Sequence, residues 1–200
     1  MNETAALPEA LQKQPSPFNL PNQLTAARLV LGIVLFVLIE MAQWRWCTIV
    51  FAVAAFTDWL DGYLARKMNL GSTLGRNLDP LVDKVVICGA YIFLTAVPDS
   101  GLTPWIATVV VSRELIITGL RTFMENIGAN FGADMLGKIK MTLQCAALFA
   151  VFVVFDLRNA DQTLDPTLKQ TRDILIWAML AATAFSGLQY LWRAFALLRK

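Results

Sequence analysis

Four aspartates fall in two neighbouring apolar stretches of this 200-residue chain, Asp58 and Asp61 in one, Asp79 and Asp83 in the next. Asp58, Asp61, Gly62, Ala65 and Arg66 recur at i, i+3, i+4, i+7 and i+8, which at about 100° per residue sets all five on one helix face. Gly75, Asp79 and Asp83 follow at i, i+4 and i+8, a second single stripe. A connection of about a dozen residues lets the two stripes face each other, so that four carboxylates converge. Four such groups in one apolar enclosure repel unless they are protonated, matched by Arg or Lys, or neutralised by hard cations. Arg66 alone cannot match four. A carboxylate-only donor set suits Mg²⁺ or Mn²⁺, and magnesium is commonly held by few carboxylates together with a substrate phosphate. The pattern points to metal-assisted phosphate chemistry. Gly62 and Ala65 leave room on the same face for a bulky group such as a nucleotide, and the same pair would also serve close helix packing.

The elements that must carry these residues are membrane helices. The chain is 56% hydrophobic and 16% charged, with a mean hydropathy of +0.54, too apolar for a domain wetted on all sides. Windows of roughly 20 apolar residues predict six spans, at 26–44, 46–66, 78–98, 104–124, 136–157 and 174–196. The expected fold is therefore an all-α integral membrane protein of six transmembrane helices occupying 21–200, preceded by a proline-containing cytoplasmic arm or surface helix over 1–20. That arm lacks the layout of a cleaved signal peptide. Basic residues concentrate at one set of span ends, which predicts both termini inside and the carboxylates facing the cytoplasm. In this reading Lys140, Arg199 and Lys200 label the inner side, and Arg45, Arg158, Lys169 and Arg172 the outer side, the last three in an outer loop at 156–173. The tryptophans at 44, 46, 105, 177 and 192 suit an interfacial aromatic belt.

Composition also excludes chemistry. The chain has no histidine, which removes Ser-His-Asp triads, histidine-ligated zinc hydrolases and transferases with a histidine nucleophile. Cys47, Cys88 and Cys145 are widely spaced in apolar stretches and read as small core residues rather than a metal site or disulfide framework. A net charge of +2 gives no indication of a nucleic-acid partner.

Together the two stripes compose Asp58-x2-Asp61-Gly62-x2-Ala65-Arg66-x8-Gly75-x3-Asp79-x3-Asp83. This resembles, without departure, the signature of the CDP-alcohol phosphatidyltransferase family. At about 6% per position, eight matches arise by chance with a probability of order 10⁻¹⁰ per starting point. The resemblance implies six transmembrane helices, a homodimer, and transfer of a phosphatidyl or related group from a CDP-linked lipid to an alcohol with release of CMP. It also implies a two-metal centre of Mg²⁺ or Mn²⁺ at Asp58, Asp61, Asp79 and Asp83. Asp83, nearest the incoming hydroxyl by this resemblance, would serve as general base. The CDP-lipid would meet Asp61, Gly62, Ala65, Arg66 and Gly75.

Upstream, Asn19 to Thr25 running into Arg28 resembles the family's lead-in to the first span, where Asn22 and Thr25 approach the diphosphate; either could equally cap that helix. Downstream, Ser112-Arg113-Glu114 to Gly119-Leu120-Arg121, then Gly137-Lys138-Ile139-Lys140-Met141-Thr142, resemble stretches of the family's bacterial phosphatidylglycerophosphate synthases. Arg113 and Arg121, eight residues apart on one helix face, and Lys138 on the next span could clamp a phosphorylated alcohol. An internal Arg113–Glu114 ion pair is the other reading of the first of these. The expected reaction joins sn-glycerol 3-phosphate to the phosphatidyl group of CDP-diacylglycerol in a bacterial inner membrane. The alternatives are a cardiolipin synthase or another family member with a different acceptor, and, from other classes, a silent scaffold or a carboxylate-lined cation transporter. The resemblance covers about 19–145; beyond it the chain reads as generic apolar helix.

Overall fold

The computed structural model describes residues 20–68, 73–127, 135–161 and 166–199; the side chains of 20–22, 24, 58–80, 125, 159–161 and 198 lie outside the described residues, as does the expected arm at 1–19. Six helices run in succession: α1 (Leu20–Glu40), α2 (Trp44–Met68), α3 (Thr73–Thr95), α4 (Pro104–Asn126), α5 (Met135–Asp161) and α6 (Pro166–Leu198). No strand occurs among the described residues. α1 packs against both α2 and α3, α5 against α2, α3 and α6, and α4 against α3 and α6.

The helices are longer than the apolar windows, because hydropathy marks only the lipid-compatible part of a helix. α3 begins at Thr73 and α2 runs to Met68, so the connection of about a dozen residues expected between the acidic stripes shrinks to 69–72. The expected outer loop at 156–173 is mostly helix, with Pro166 at the first position of α6, where its missing N–H is harmless. Among the described residues, α5 and α6 contain stretches long and apolar enough to cross a membrane by themselves, Met135–Arg158 and Pro166–Leu197, and α2 contains a shorter apolar run, Trp44–Thr57.

The outer surface is apolar. Val30 and Ile33 of α1, Phe56 of α2, Leu115 of α4 and Phe185 of α6 are all more than half exposed, which water would not tolerate over so many adjacent helices and hydrocarbon would. Inside, Tyr91, Leu94, Val110, Leu148, Phe152 and Met179 form a fully buried core. Trp44 belongs to it, stacked on Phe155 with centroids 4.5 Å apart, and is thus a packing residue rather than part of a belt; Trp46, Trp105, Trp177 and Trp192 are exposed. The three cysteines are free, as expected of core residues.

Two turns are set by local backbone chemistry. α1 ends in a Schellman motif, with Gln43 N donating to Leu38 O at 2.9 Å and Ala42 N to Ile39 O at 3.0 Å, and Ala42 taking the left-handed position at φ 55° that usually falls to glycine. Between α3 and α4, Asp99 (φ 61°) and Gly101 (φ 77°) turn the chain. Arg172, expected to be a loop label, is buried beneath this turn: its Nη1 donates to Asp99 O at 2.6 Å and its Nε and Nη2 to Asp173 Oδ1. The carbonyls exposed by the turn need a donor where little water reaches.

α1 and α3 approach through glycines. A Cβ on Gly32 would lie 2.6 Å from Val86 Cγ2, and one on Gly89 would lie 2.2 Å from Phe36 Cζ, the close approach that small residues permit between membrane helices. Phe36 in turn stacks on Phe93 at 5.0 Å. Gly89→Ala must displace that ring, and overpacking of this kind costs about 1–3 kcal/mol. The expected result is a lower thermal midpoint for the detergent-solubilised variant together with reduced turnover; an unchanged midpoint would show that the close crossing is dispensable.

Candidate functional site

The α1–α3 crossing places the first functional pair. Arg28 lies one turn before Gly32 and Asp83 one turn before Val86, and Arg28 Nη1 donates to Asp83 Oδ1 at 2.7 Å. Arg28 is 4% exposed. Residue spacing sets only Arg66 on the acidic stripe as a cation; the pairing with Arg28 crosses 55 residues of chain and leaves no trace in spacing. Thr25, one turn earlier on α1, is buried beside it in sequence. Asn22 and the side chains of Asp58, Asp61, Gly62, Ala65, Arg66, Gly75 and Asp79 lie outside the described residues. Their backbone places Asp58 and Asp61 in α2 and Asp79 and Asp83 in α3, so each acidic stripe keeps helical register. Among the described residues α2 and α3 do not pack directly on each other; α1 touches both.

Next to Asp83, Lys84 opens a polar network that crosses the bundle. Its Nζ donates to Thr118 Oγ1 of α4, and that hydroxyl donates to Glu114 O at 2.6 Å. The Glu114 carboxylate, 6% exposed, accepts from Lys140 Nζ of α5 and, at 3.3 Å, from Arg113 Nη1. The Arg113–Glu114 ion pair is therefore present. Arg113 Nη2 reaches Ser186 Oγ of α6, and Arg121 Nη2 donates to Tyr190 OH at 3.2 Å. Both guanidinium carbons lie 5.8 Å from the centroid of the Tyr190 ring, within cation–π reach.

Arg113 and Arg121 come together, but Lys138 is exposed and contributes no side-chain contact to this cluster among the described residues. Lys140, expected to be only an inner-side label, is the buried lysine. Two residues along a helix turn the side chain by about 200°, so only one of Lys138 and Lys140 can point into the bundle. Ser186 and Tyr190 are additions to the expected set; polar residues four apart in an otherwise apolar span are their signal in the sequence.

Arg113 and Lys140 donate to the Glu114 carboxylate, Lys84 reaches Thr118 beside it, and Arg121 lies close by on Tyr190, so that four cations gather around it among the described residues. Arg113 Nε and Arg121 Nε are buried without a hydrogen-bond partner there. Buried donors left unmade are costly, and an excess of positive charge held in an apolar bundle calls for an anion.

An apolar helical bundle that holds carboxylates and a basic cluster close together suits a membrane enzyme acting on phosphate-bearing substrates. The chain belongs to the CDP-alcohol phosphatidyltransferase family, whose sequence model matches residues 18–193. It is similar to the CDP-diacylglycerol–glycerol-3-phosphate 3-phosphatidyltransferase of Bacillus subtilis, 36% identical over 190 residues, covering 86% of this chain and 93% of that protein. Proteins of the same name from Escherichia coli K12 and Salmonella typhimurium are 37% and 36% identical over 137 residues, 66% of this chain and 75% of each relative.

Proposed function

We propose that this protein transfers the phosphatidyl group of CDP-diacylglycerol to sn-glycerol 3-phosphate, giving phosphatidylglycerophosphate and CMP. The names of its relatives support the reaction. The observation that carries the choice of acceptor is the buried pair Arg113 and Arg121, each with an unpaired Nε–H, beside a lysine from α5. A phosphomonoester needs charge-assisted donors of this kind, preferably guanidinium forks, whereas a lipid acceptor without a phosphomonoester has less use for them.

The acceptor's hydroxyl oxygen forms a new bond to the phosphatidyl phosphorus as the phosphoanhydride bond to CMP breaks, and the bonding pair leaves with CMP. Asp83 takes the hydroxyl proton, and Arg28 keeps that carboxylate oriented through its 2.7 Å contact. The donor set of Asp58, Asp61, Asp79 and Asp83, carboxylates without histidine or thiolate, fits hard dications. Bound there, Mg²⁺ or Mn²⁺ would supply charge stabilisation on the diphosphate. Asn22, Thr25, Gly62, Ala65, Arg66 and Gly75 belong to the CDP-lipid side of the site in this reading, and Arg113, Arg121 and Lys140 to the acceptor side. Lys138 stays outside the pocket. The protein spans the bacterial inner membrane six times as a homodimer, with both termini in the cytoplasm, an orientation that the placement of its Lys and Arg residues supports.

The test is CMP release by purified protein given CDP-diacylglycerol, Mg²⁺ and one candidate alcohol at a time. Glycerol 3-phosphate should support release, and a protein active only with phosphatidylglycerol would be a cardiolipin synthase instead. A cation transporter or scaffold would release none. In the same assay Arg121→Ala should raise the KM for glycerol 3-phosphate at least about tenfold, equivalent to roughly 1.4 kcal/mol, with a much smaller change for CDP-diacylglycerol. Arg113→Ala should match or exceed it. Normal acceptor kinetics in both variants would place the pocket elsewhere.

A further inference from the structure

The last helix holds the two arginines of α4 in a fixed relation. Ser186 Oγ takes Arg113 Nη2, and the Tyr190 hydroxyl, one turn later, takes Arg121 Nη2 at 3.2 Å. The Tyr190 ring itself stands 5.8 Å from both guanidinium carbons. Tyr190 is 2% exposed and is anchored in a small apolar cluster with Ile117, Met124 and Ala194, so its ring has no room to swing. Gly187 lies between the two polar residues, and a Cβ there would come within 3.2 Å of Arg113 Cγ; the stem of that arginine lies tight against the helix backbone. A Cβ on Gly137 of α5 would lie 3.6 Å from the Tyr190 hydroxyl, an ordinary contact.

Arg113 and Arg121 lie eight residues apart along α4, about 12 Å of helix rise, and two long side chains at that distance would spread independently. The rigid ring between them removes that freedom before any anion arrives, and preorganisation of this kind is where much binding energy is gained. The ring face also attracts both cations, which offsets part of their mutual repulsion.

We infer that Tyr190 is the positioning residue of the acceptor pocket: its ring and hydroxyl set the separation of Arg113 and Arg121 so that both close on the phosphate of the acceptor. This rests on the reading of those arginines as the acceptor site. It assigns a specific role to α6, a helix that in sequence looked like generic membrane span.

Two substitutions separate the ring from the hydroxyl. Tyr190→Phe keeps the ring and removes the hydroxyl that accepts from Arg121, and should raise the KM for glycerol 3-phosphate about two- to fivefold. Tyr190→Leu removes both and should raise it at least about tenfold, while kcat and the KM for CDP-diacylglycerol stay within about threefold. Inorganic phosphate, used as a competitive inhibitor against glycerol 3-phosphate, should weaken in the same order, wild type to Phe to Leu. A merely structural tyrosine would lower the thermal midpoint and impair both substrates alike, and that result overturns the inference, as does unchanged acceptor KM in both variants. If Tyr190→Leu does not fold, the Phe variant still decides: a wild-type acceptor KM and wild-type phosphate inhibition sink the proposal. Wild-type protein assayed alongside with phosphatidylglycerol shows whether the acceptor assignment itself, rather than the role of Tyr190, has failed.

Discussion

Replacing Asp58 or Asp79 with alanine should lower turnover by several orders of magnitude while leaving helix content and detergent-extracted oligomeric state unchanged. Each substitution removes one carboxylate from a donor set that has no histidine or cysteine to take its place, and in the proposed metal site the loss of one ligand would remove most of the hold on a hard dication. The surrounding helices lose little, because alanine is the strongest helix former and the backbone at both positions is already helical. Circular dichroism and CMP release measured on the same preparations separate the two effects. EDTA should abolish wild-type activity, and Mg²⁺ or Mn²⁺ should restore it. Full activity in chelator would remove the metal site from the mechanism, and unfolding of both alanine variants would make the aspartates structural.

Asp83→Asn should retain measurable binding of CDP-diacylglycerol yet show almost no transfer. An amide fills the same space but cannot take the proton from the attacking hydroxyl. The structure adds a second consequence. Arg28, buried in the middle of α1, would keep a hydrogen-bond acceptor in the asparagine oxygen but lose the negative charge of Asp83, and weakening a buried ion pair is costly. A moderate fall in thermal midpoint is therefore expected alongside the kinetic loss. Arg28→Lys tests the separation: it keeps a cation for Asp83 and should restore much of the stability margin without the fork geometry, so its turnover should exceed that of Asp83→Asn by a wide margin. Wild-type turnover in Asp83→Asn would refute the assignment of the base.

Part of this site was legible from residue spacing because spacing within one helix is a local quantity. The acidic stripes on α2 and α3 follow from a repeat of 3.6 residues, and their helices are where that repeat requires them. The pairing of Arg113 with Glu114 was similarly open to inspection, since the two are adjacent in the chain. Where sequence reasoning went astray it was at helix ends and across helices. Hydropathy windows stopped α3 short of its first turns and turned much of the α5–α6 junction into loop. They could not see that polar residues such as Arg172 are carried on helix and buried against a turn.

The sequence by itself determined the chemistry available to this protein: an apolar chain for a bilayer, four carboxylates without imidazole, and an eight-position signature that marks a CDP-alcohol phosphatidyltransferase. Only the tertiary structure decided which groups meet. It turned Lys140 rather than Lys138 into the bundle, set Arg28 on Asp83, and brought Ser186 and Tyr190 of α6 to the arginines of α4. The physical reason is that these pairs lie 26 to 73 residues apart in the chain, so helix periodicity says which face each residue occupies but nothing about what lies opposite. That is settled by how closely the helices can approach, and here glycines decide it: Gly32 and Gly89 let α1 and α3 close on Arg28 and Asp83, and Gly187 lets Arg113 lie along α6.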